Sequence, residues 1–217
     1  MAEPAKPTII AIDGPAAAGK GTLARRLAAR LGLRYLESGR LYRAVAARVL
    51  REGGDPADPA QAVIAARALD DADVAADDLR DEAVSQAASV VSAIPEVRAA
   101  LLEYQRRFGR TPPGAVIDGR DIGTVVFPDA THKLFVTARP AVRAERRYRE
   151  LRARGVVCER AEVAREMALR DARDAGREVA PMAAATDGVV LDTSDLDAEA
   201  VYRAALAALG LDPDPAE

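Results

Sequence analysis

The chain has no tryptophan, one cysteine, one histidine and three lysines in 217 residues, and aromatic residues make up only 4% of it. A single cysteine, Cys158, excludes an internal disulfide, which fits a reducing compartment, so a cytosolic protein is expected. One cysteine and one histidine also leave zinc without its usual ligand set, and no nucleophile or metal cluster accompanies His132. Long apolar runs are missing too. The longest candidate, residues 83–95, falls short of the roughly 20 residues of a membrane span and carries Ser and Gln, so a soluble protein with no membrane partner is expected. The apolar run after Lys6 is too short for the core of a signal peptide, and no cleavage is expected.

What is present points to one globular domain over residues 1–217, with 49% hydrophobic and 30% charged residues. A net charge of −3 hides a strong asymmetry: residues 139–160 hold eight arginines against three glutamates. Glu145 and Arg149, four apart, fit a solvated helix face, and only Tyr148 interleaves the run. With an acidic overall balance, a nucleic-acid partner is not favoured. Short β-rich runs at 7–12, 115–118, 133–137 and 189–192, with a weaker fifth at 34–38, alternate with helical patterns or loops. Leu23, Leu27 and Leu31 stand at helical spacing and the pattern stops near Gly32. A Gly/Asp/Pro cluster at 53–59 marks a loop, and 60–100 reads as mostly helical with a break near Pro95. Strands alternating with helices predict an α/β fold with a parallel sheet covered on both faces.

Against a background of arginine, one lysine sits among glycines in Gly14-Pro15-Ala16-Ala17-Ala18-Gly19-Lys20-Gly21-Thr22, between a strand and a helix. The strict phosphate-loop pattern has its hydroxyl directly after the lysine; here Gly21 takes that place and Thr22 follows. A loop free of bulky side chains can wrap backbone N–H groups around phosphate oxygens, and the helix start adds positive charge. Lys20 supplies a mobile point charge that can follow a phosphoryl group in transfer. Three further clusters accompany the loop. "ESGRLYR" offers Ser38 and Arg43, "DGRDIGTVVFP" offers Asp118, Arg120 and Asp121, and "RDARDAGR" places Arg170, Arg173, Asp174 and Arg177 on about one helix face. The first two end probable strands of a parallel sheet, so their side chains can meet the phosphate loop in one crevice.

Together, "IDGPAAAGKGT", "ESGRLYR", "ASVVSAIPEVR", "DGRDIGTVVFPDA" and "RDARDAGREVAP", in that order, resemble the bacterial cytidylate kinase family, and the resemblance covers nearly the whole chain. It implies a P-loop NTPase-type five-stranded parallel sheet flanked by helices, with a monophosphate-binding insert at about 39–100 and a short lid at about 139–165. It also implies phosphorylation of CMP and dCMP by ATP with Mg2+. By the same resemblance, Ser89, Arg98 and Asp121 read cytosine, Arg170 and Asp174 contact the ribose, and Arg43, Arg120 and Arg177 clamp the acceptor phosphate, with Ser38 in the same pocket. Lys20 and Arg120, with Arg146 and Arg147 from the lid, are the expected catalytic groups, and Thr22 and Asp118 would hold magnesium directly or through water. The chain departs from the family's pattern in a compact insert at 68–84 and in Glu37, where Asp is common.

Such a reaction needs no nucleophilic side chain, because an acceptor phosphate with a second pKa near 6 is largely dianionic at neutral pH. Adenylate or shikimate kinase is the nearest alternative, and the order of the segments argues against both. A regulatory GTP switch would need an NKxD-like guanine-reading segment, which is absent. A monomer is expected.

Overall fold

The computed structural model describes residues 7–76, 79 and 81–211. Its centre is a sheet of five parallel strands in the order β2-β3-β1-β4-β5, comprising β1 (Thr8–Asp13), β2 (Arg34–Glu37), β3 (Gly114–Asp118), β4 (His132–Thr137) and β5 (Val189–Asp192). All five expected strands form, within a residue or so of their expected ends. β1 and β3 are buried almost throughout, as strands covered on both faces must be.

On one face lie α1 (Lys20–Leu31) and the C-terminal helix Ala198–Ala208; Leu23 and Leu27 meet Leu206, Ile10, Ile12 and Val136. Gly32, in the left-handed conformation, ends α1 where the periodicity stops. On the opposite face, Ile9, Ala11, Ile117 and Phe127 form a second layer against the helix Pro95–Arg110.

Between β2 and β3 run α2 (Ser38–Arg51), α3 (Pro59–Arg67), α4 (Asp71–Ala75), α5 (Glu82–Val91) and α6 (Pro95–Arg110). Four of them share a core of their own, with Leu41, Val45 and Val49 packed on Ala62, Val91, Val97 and Leu101. Pro95, expected as a break, is the first residue of α6, where a missing N–H costs nothing. Part of the compact segment 68–84, residues 77, 78 and 80, lies outside the described residues.

Two helices, α7 (Pro140–Ala153) and α8 (Arg160–Ala175), follow β4, and α9 (Ala198–Ala208) closes the chain. Leu151, Val163 and Met167 join α7 to α8 and rest against Ala16 and Ala17, so the phosphate loop carries their weight. Among the described residues no helix is long and apolar enough to cross a membrane.

Candidate active site

In a parallel sheet the strands' C-terminal ends open on one edge, and the register sets the acids there side by side. Ile12 pairs with Asp118, which pairs with Glu37, while Asp13 pairs with Phe135. The loop 14–22 leaves β1 at this edge, at the point where the strand order reverses. Gly14, at φ 136°, passes so close to β4 that a Cβ would stand 2.0 Å from the Val136 carbonyl oxygen, which excludes any other residue.

The loop and α1 form one wall of a cleft of about 720 Å³, in the size range of small-molecule sites. Ala16, Ala17, Gly19, Lys20, Gly21 and Thr22 line it, while Pro15 gives its carbonyl to Lys20 and Ala18 is buried behind. Opposite stand Glu37, Arg43, Asp118, Arg120, Arg147 and Arg170. A smaller pocket adjoins, lined by Ser38, Tyr42, Ser92, Arg98, Asp121, Asp174 and Arg177, and Arg120 and Arg170 line both. The smaller space, about 40 Å³, is an offshoot of the larger one, and the two meet at Gly39, Gly119, Arg120 and Arg170.

Electrostatics of this seam favour an anion. Lys20 Nζ donates to the Pro15 carbonyl at 2.7 Å. Burial pushes its ammonium down to about 7, Arg120 pushes the same way, and Asp118 and Asp13 oppose them. Burial likewise lowers Arg170 to about 10, with Arg120 adding to the effect and Asp174 opposing it. The Nε groups of Arg43, Arg170 and Arg177 are buried with no hydrogen-bond partner. Buried donors are normally satisfied, and these three flank the seam, Arg43 on the larger space, Arg177 on the smaller and Arg170 on both, which suits an anionic ligand there.

The carboxylates have partners. Asp174 accepts from Arg120 Nε at 2.8 Å and from Arg177; burial raises its carboxyl, but Arg120, Arg177 and Arg170 together hold it below the usual range. Burial also acts on Glu37, and Arg43, donating at 2.6 Å, more than offsets it. Glu37 is thus paired with Arg43. Arg98 and Asp121 form a buried ion pair, and Arg98 NH1 also donates to the Ser92 carbonyl at 3.2 Å. Ser38 Oγ donates to the Asp118 carbonyl at 2.8 Å, tying the end of β2 to the end of β3. Burial pushes the Asp118 carboxyl up to about 6 against the pull of Lys20, and Tyr35 donates to it at 3.3 Å.

The residues expected at the site do not all converge. Ser89 is buried on α5, where its carbonyl accepts from Ser92 Oγ and its own hydroxyl has no partner. Arg147 reaches the cleft and donates to Glu82 on α5, whereas Arg146 points to the end of β5, donating to Thr193 Oγ1 at 3.0 Å and to its carbonyl at 2.7 Å. Thr193 in turn donates to Ala18. Sequence reasoning missed Ser92, whose hydroxyl accepts from Arg177 at 2.7 Å, although it lies three residues along the same helical turn from Ser89. It also missed Arg143, buried at the junction of α7 with the loop, donating to Ala138 and Ala16 carbonyls and to Asp171.

For a cation the donors are oxygen: Asp118 and Thr22 both line the cleft. Among the described residues no group of three or more His, Cys, Asp or Glu side chains could hold a metal. That set fits an ion that keeps most of its water and uses one or two protein oxygens, as magnesium does.

Comparison with known proteins bears on the fold and the family. Among solved structures, an uncharacterized protein from Eubacterium ventriosum superposes with a TM-score of 0.56 at 13% identity, covering 94% of this chain and 98% of that one. A gluconokinase from Sinorhizobium meliloti gives 0.50 at 17% identity, covering 94% and 92%. These establish the fold alone. Similarity in sequence goes further. The cytidylate kinase of Paramagnetospirillum magneticum is 59% identical over 206 residues, covering 94% of this chain and 98% of the relative. That of Rhodospirillum rubrum is 58% identical over 202 residues, covering 91% and 95%. With the family model for cytidylate kinase matching residues 10–210, nearly from the first strand to the last helix, the chain belongs to the cytidylate kinase family.

Proposed function

We propose that the chain transfers a phosphoryl group from ATP to CMP or dCMP, with the phosphates of both nucleotides meeting in the larger cleft and the base of the monophosphate turned toward the smaller space beside it. The observation that carries this reading is the trio of buried, unpartnered guanidinium nitrogens on Arg43, Arg170 and Arg177 where the two spaces join. Helices α2–α5 and the start of α6 are then the acceptor-binding insert of about 39–100, and α7 with the first turns of α8 the lid of about 139–165. Arg43, Arg120 and Arg177 hold the acceptor phosphate, Arg170 and Asp174 the ribose, and Arg98 and Asp121 the base, with Ser38 bracing the pocket.

The acceptor arrives as a dianion, so these residues supply position and countercharge and no base. Lys20 and the amides at the start of α1 hold the donor phosphates and follow the moving charge; Arg120 meets it from the acceptor side. Magnesium, held by Asp118 and Thr22 directly or through water, would add countercharge on the donor phosphates. A coupled assay offering CMP, dCMP, AMP, UMP and shikimate tests the assignment: the first two should be turned over best, and a preference for AMP or shikimate would overturn it.

Nucleotide binding should draw in a proton. Burial pushes the free Lys20 ammonium down to about 7, and phosphate beside it favours the charged form, so binding at pH 8 should take up protons at that group. Calorimetric binding enthalpy at pH 8 should therefore depend on the buffer's ionisation enthalpy, with the sign of uptake. A buffer-independent enthalpy would count against Lys20 as the phosphate ligand.

Among the lid arginines the catalytic role goes to Arg147. Arg147→Ala should lower kcat on the order of 10²-fold, the usual effect of removing one donor to the transition state. Arg146→Ala should lower the melting temperature by freeing Thr193 and leave kcat within about threefold. Steady-state kinetics and thermal melts of the two variants separate these roles; a larger kcat loss for Arg146→Ala would reverse them.

A further inference from the structure

Asp13 closes β1 at the mouth of the phosphate loop, yet its carboxylate is spent elsewhere. Oδ1 accepts from Ile122 N at 2.7 Å and Oδ2 from Gly123 N at 2.7 Å, and the residue is only 4% exposed. Those amides open the π-helical turn Ile122–Val126, and the residue before it is Asp121, whose carbonyl accepts from Val125 N and Val126 N. The turn has no side-chain cap of its own, so Asp13 acts as its cap from another strand. Burying a carboxylate here is costly: burial pushes Asp13 up to about 6, the two amides pull it down, Asp121 adds to the rise and Lys20 opposes it. Nothing in phosphate binding requires it.

We propose that Asp13 is a positioning residue for base selection, fixing the backbone at 122–123 so that Asp121 presents its carboxylate to the acceptor's base at a set angle. This rests on the reading of Asp121 as a base contact. It gives the chain a direct bond between the strand that carries the donor loop and the turn that reads the acceptor. Asparagine at 13 has one oxygen and an amino group that cannot accept, so one of the two N–H groups would lose its partner.

Asp13→Asn should cut the ratio of kcat/KM for CMP over UMP by about two- to tenfold, the range for one hydrogen bond. On an Asp121→Ala background it should leave that ratio unchanged, because the residue through which it acts is gone. If Asp121→Ala narrows the ratio while Asp13→Asn lowers only the melting temperature, the base reading stands and Asp13 is a structural cap alone. If Asp121→Ala leaves the ratio unmoved, the base reading fails and takes the proposal with it. Should Asp13→Asn not fold, the unaltered enzyme decides: the Ile122 and Gly123 amide protons should exchange more slowly when saturated with CMP than with UMP, by reciprocity of coupling. Equal protection would overturn the proposal.

Discussion

Lys20→Met should lower phosphoryl transfer by on the order of a thousandfold and leave the protein folded. Its ammonium is buried against the Pro15 carbonyl at the base of the cleft, where low local polarity makes each unit of countercharge on a phosphoryl group count. A thousandfold corresponds to about 4 kcal/mol of transition-state stabilisation. Stability should move the other way. Burial already pushes the free lysine down to about 7, so an apolar side chain of similar length removes a desolvation cost along with the charge, and the melting temperature should be unchanged or higher without nucleotide. Turnover and melting of the purified variant check both halves. A folded Lys20→Met protein with wild-type turnover would remove the donor site from this loop.

The same residue shows why part of this site could be read directly from sequence. A strand, a glycine-framed lysine and a helix are local signals, and the structure places Lys20 at the first position of α1 as the pattern requires. Five apolar runs became five parallel strands; β1 and β3 at the centre are buried almost throughout, while the edge strand β5 leaves Val189 and Val190 exposed. Side-chain direction was harder. Arg146 and Arg147 are neighbours in sequence but about 100° apart around α7. Only helical phase tells them apart: Arg147 shares its stripe with Arg143 and Leu151, which face the loop and α8, while Arg146 turns to Thr193. That phase was legible; the partner at β5 was not, because the contact joins residues 47 apart. The π-helical turn after Asp121 was hidden for another reason: Thr124, Val125 and Val126 are β-branched, and the contact that caps the turn comes from Asp13, more than a hundred residues away. Long-range pairing of this kind leaves no local pattern.

Base choice gives the sharpest second test. Cytosine presents an exocyclic amino donor beside ring and carbonyl acceptors, and uracil sets a carbonyl where that amino group stands. In the proposed assignment, Asp121 as acceptor with Arg98 as donor matches the cytosine edge, while Ser89 lies outside the lining of both spaces. Asp121→Ala should therefore lower kcat/KM for CMP far more than for UMP, narrowing the preference by about five- to 150-fold, the equivalent of about 1–3 kcal/mol for one buried polar contact. Removing Asp121 also strands the buried Arg98 guanidinium, so some loss of stability is expected in the alanine variant, and Asp121→Asn, which keeps volume and one acceptor, separates the two effects. Arg43→Ala provides the contrast: Arg43 lines the larger cleft and not the smaller space, so under the proposed assignment CMP and UMP should weaken by one common factor. Equal losses for both acceptors in Asp121→Ala would move that residue from base recognition to support of the phosphate site.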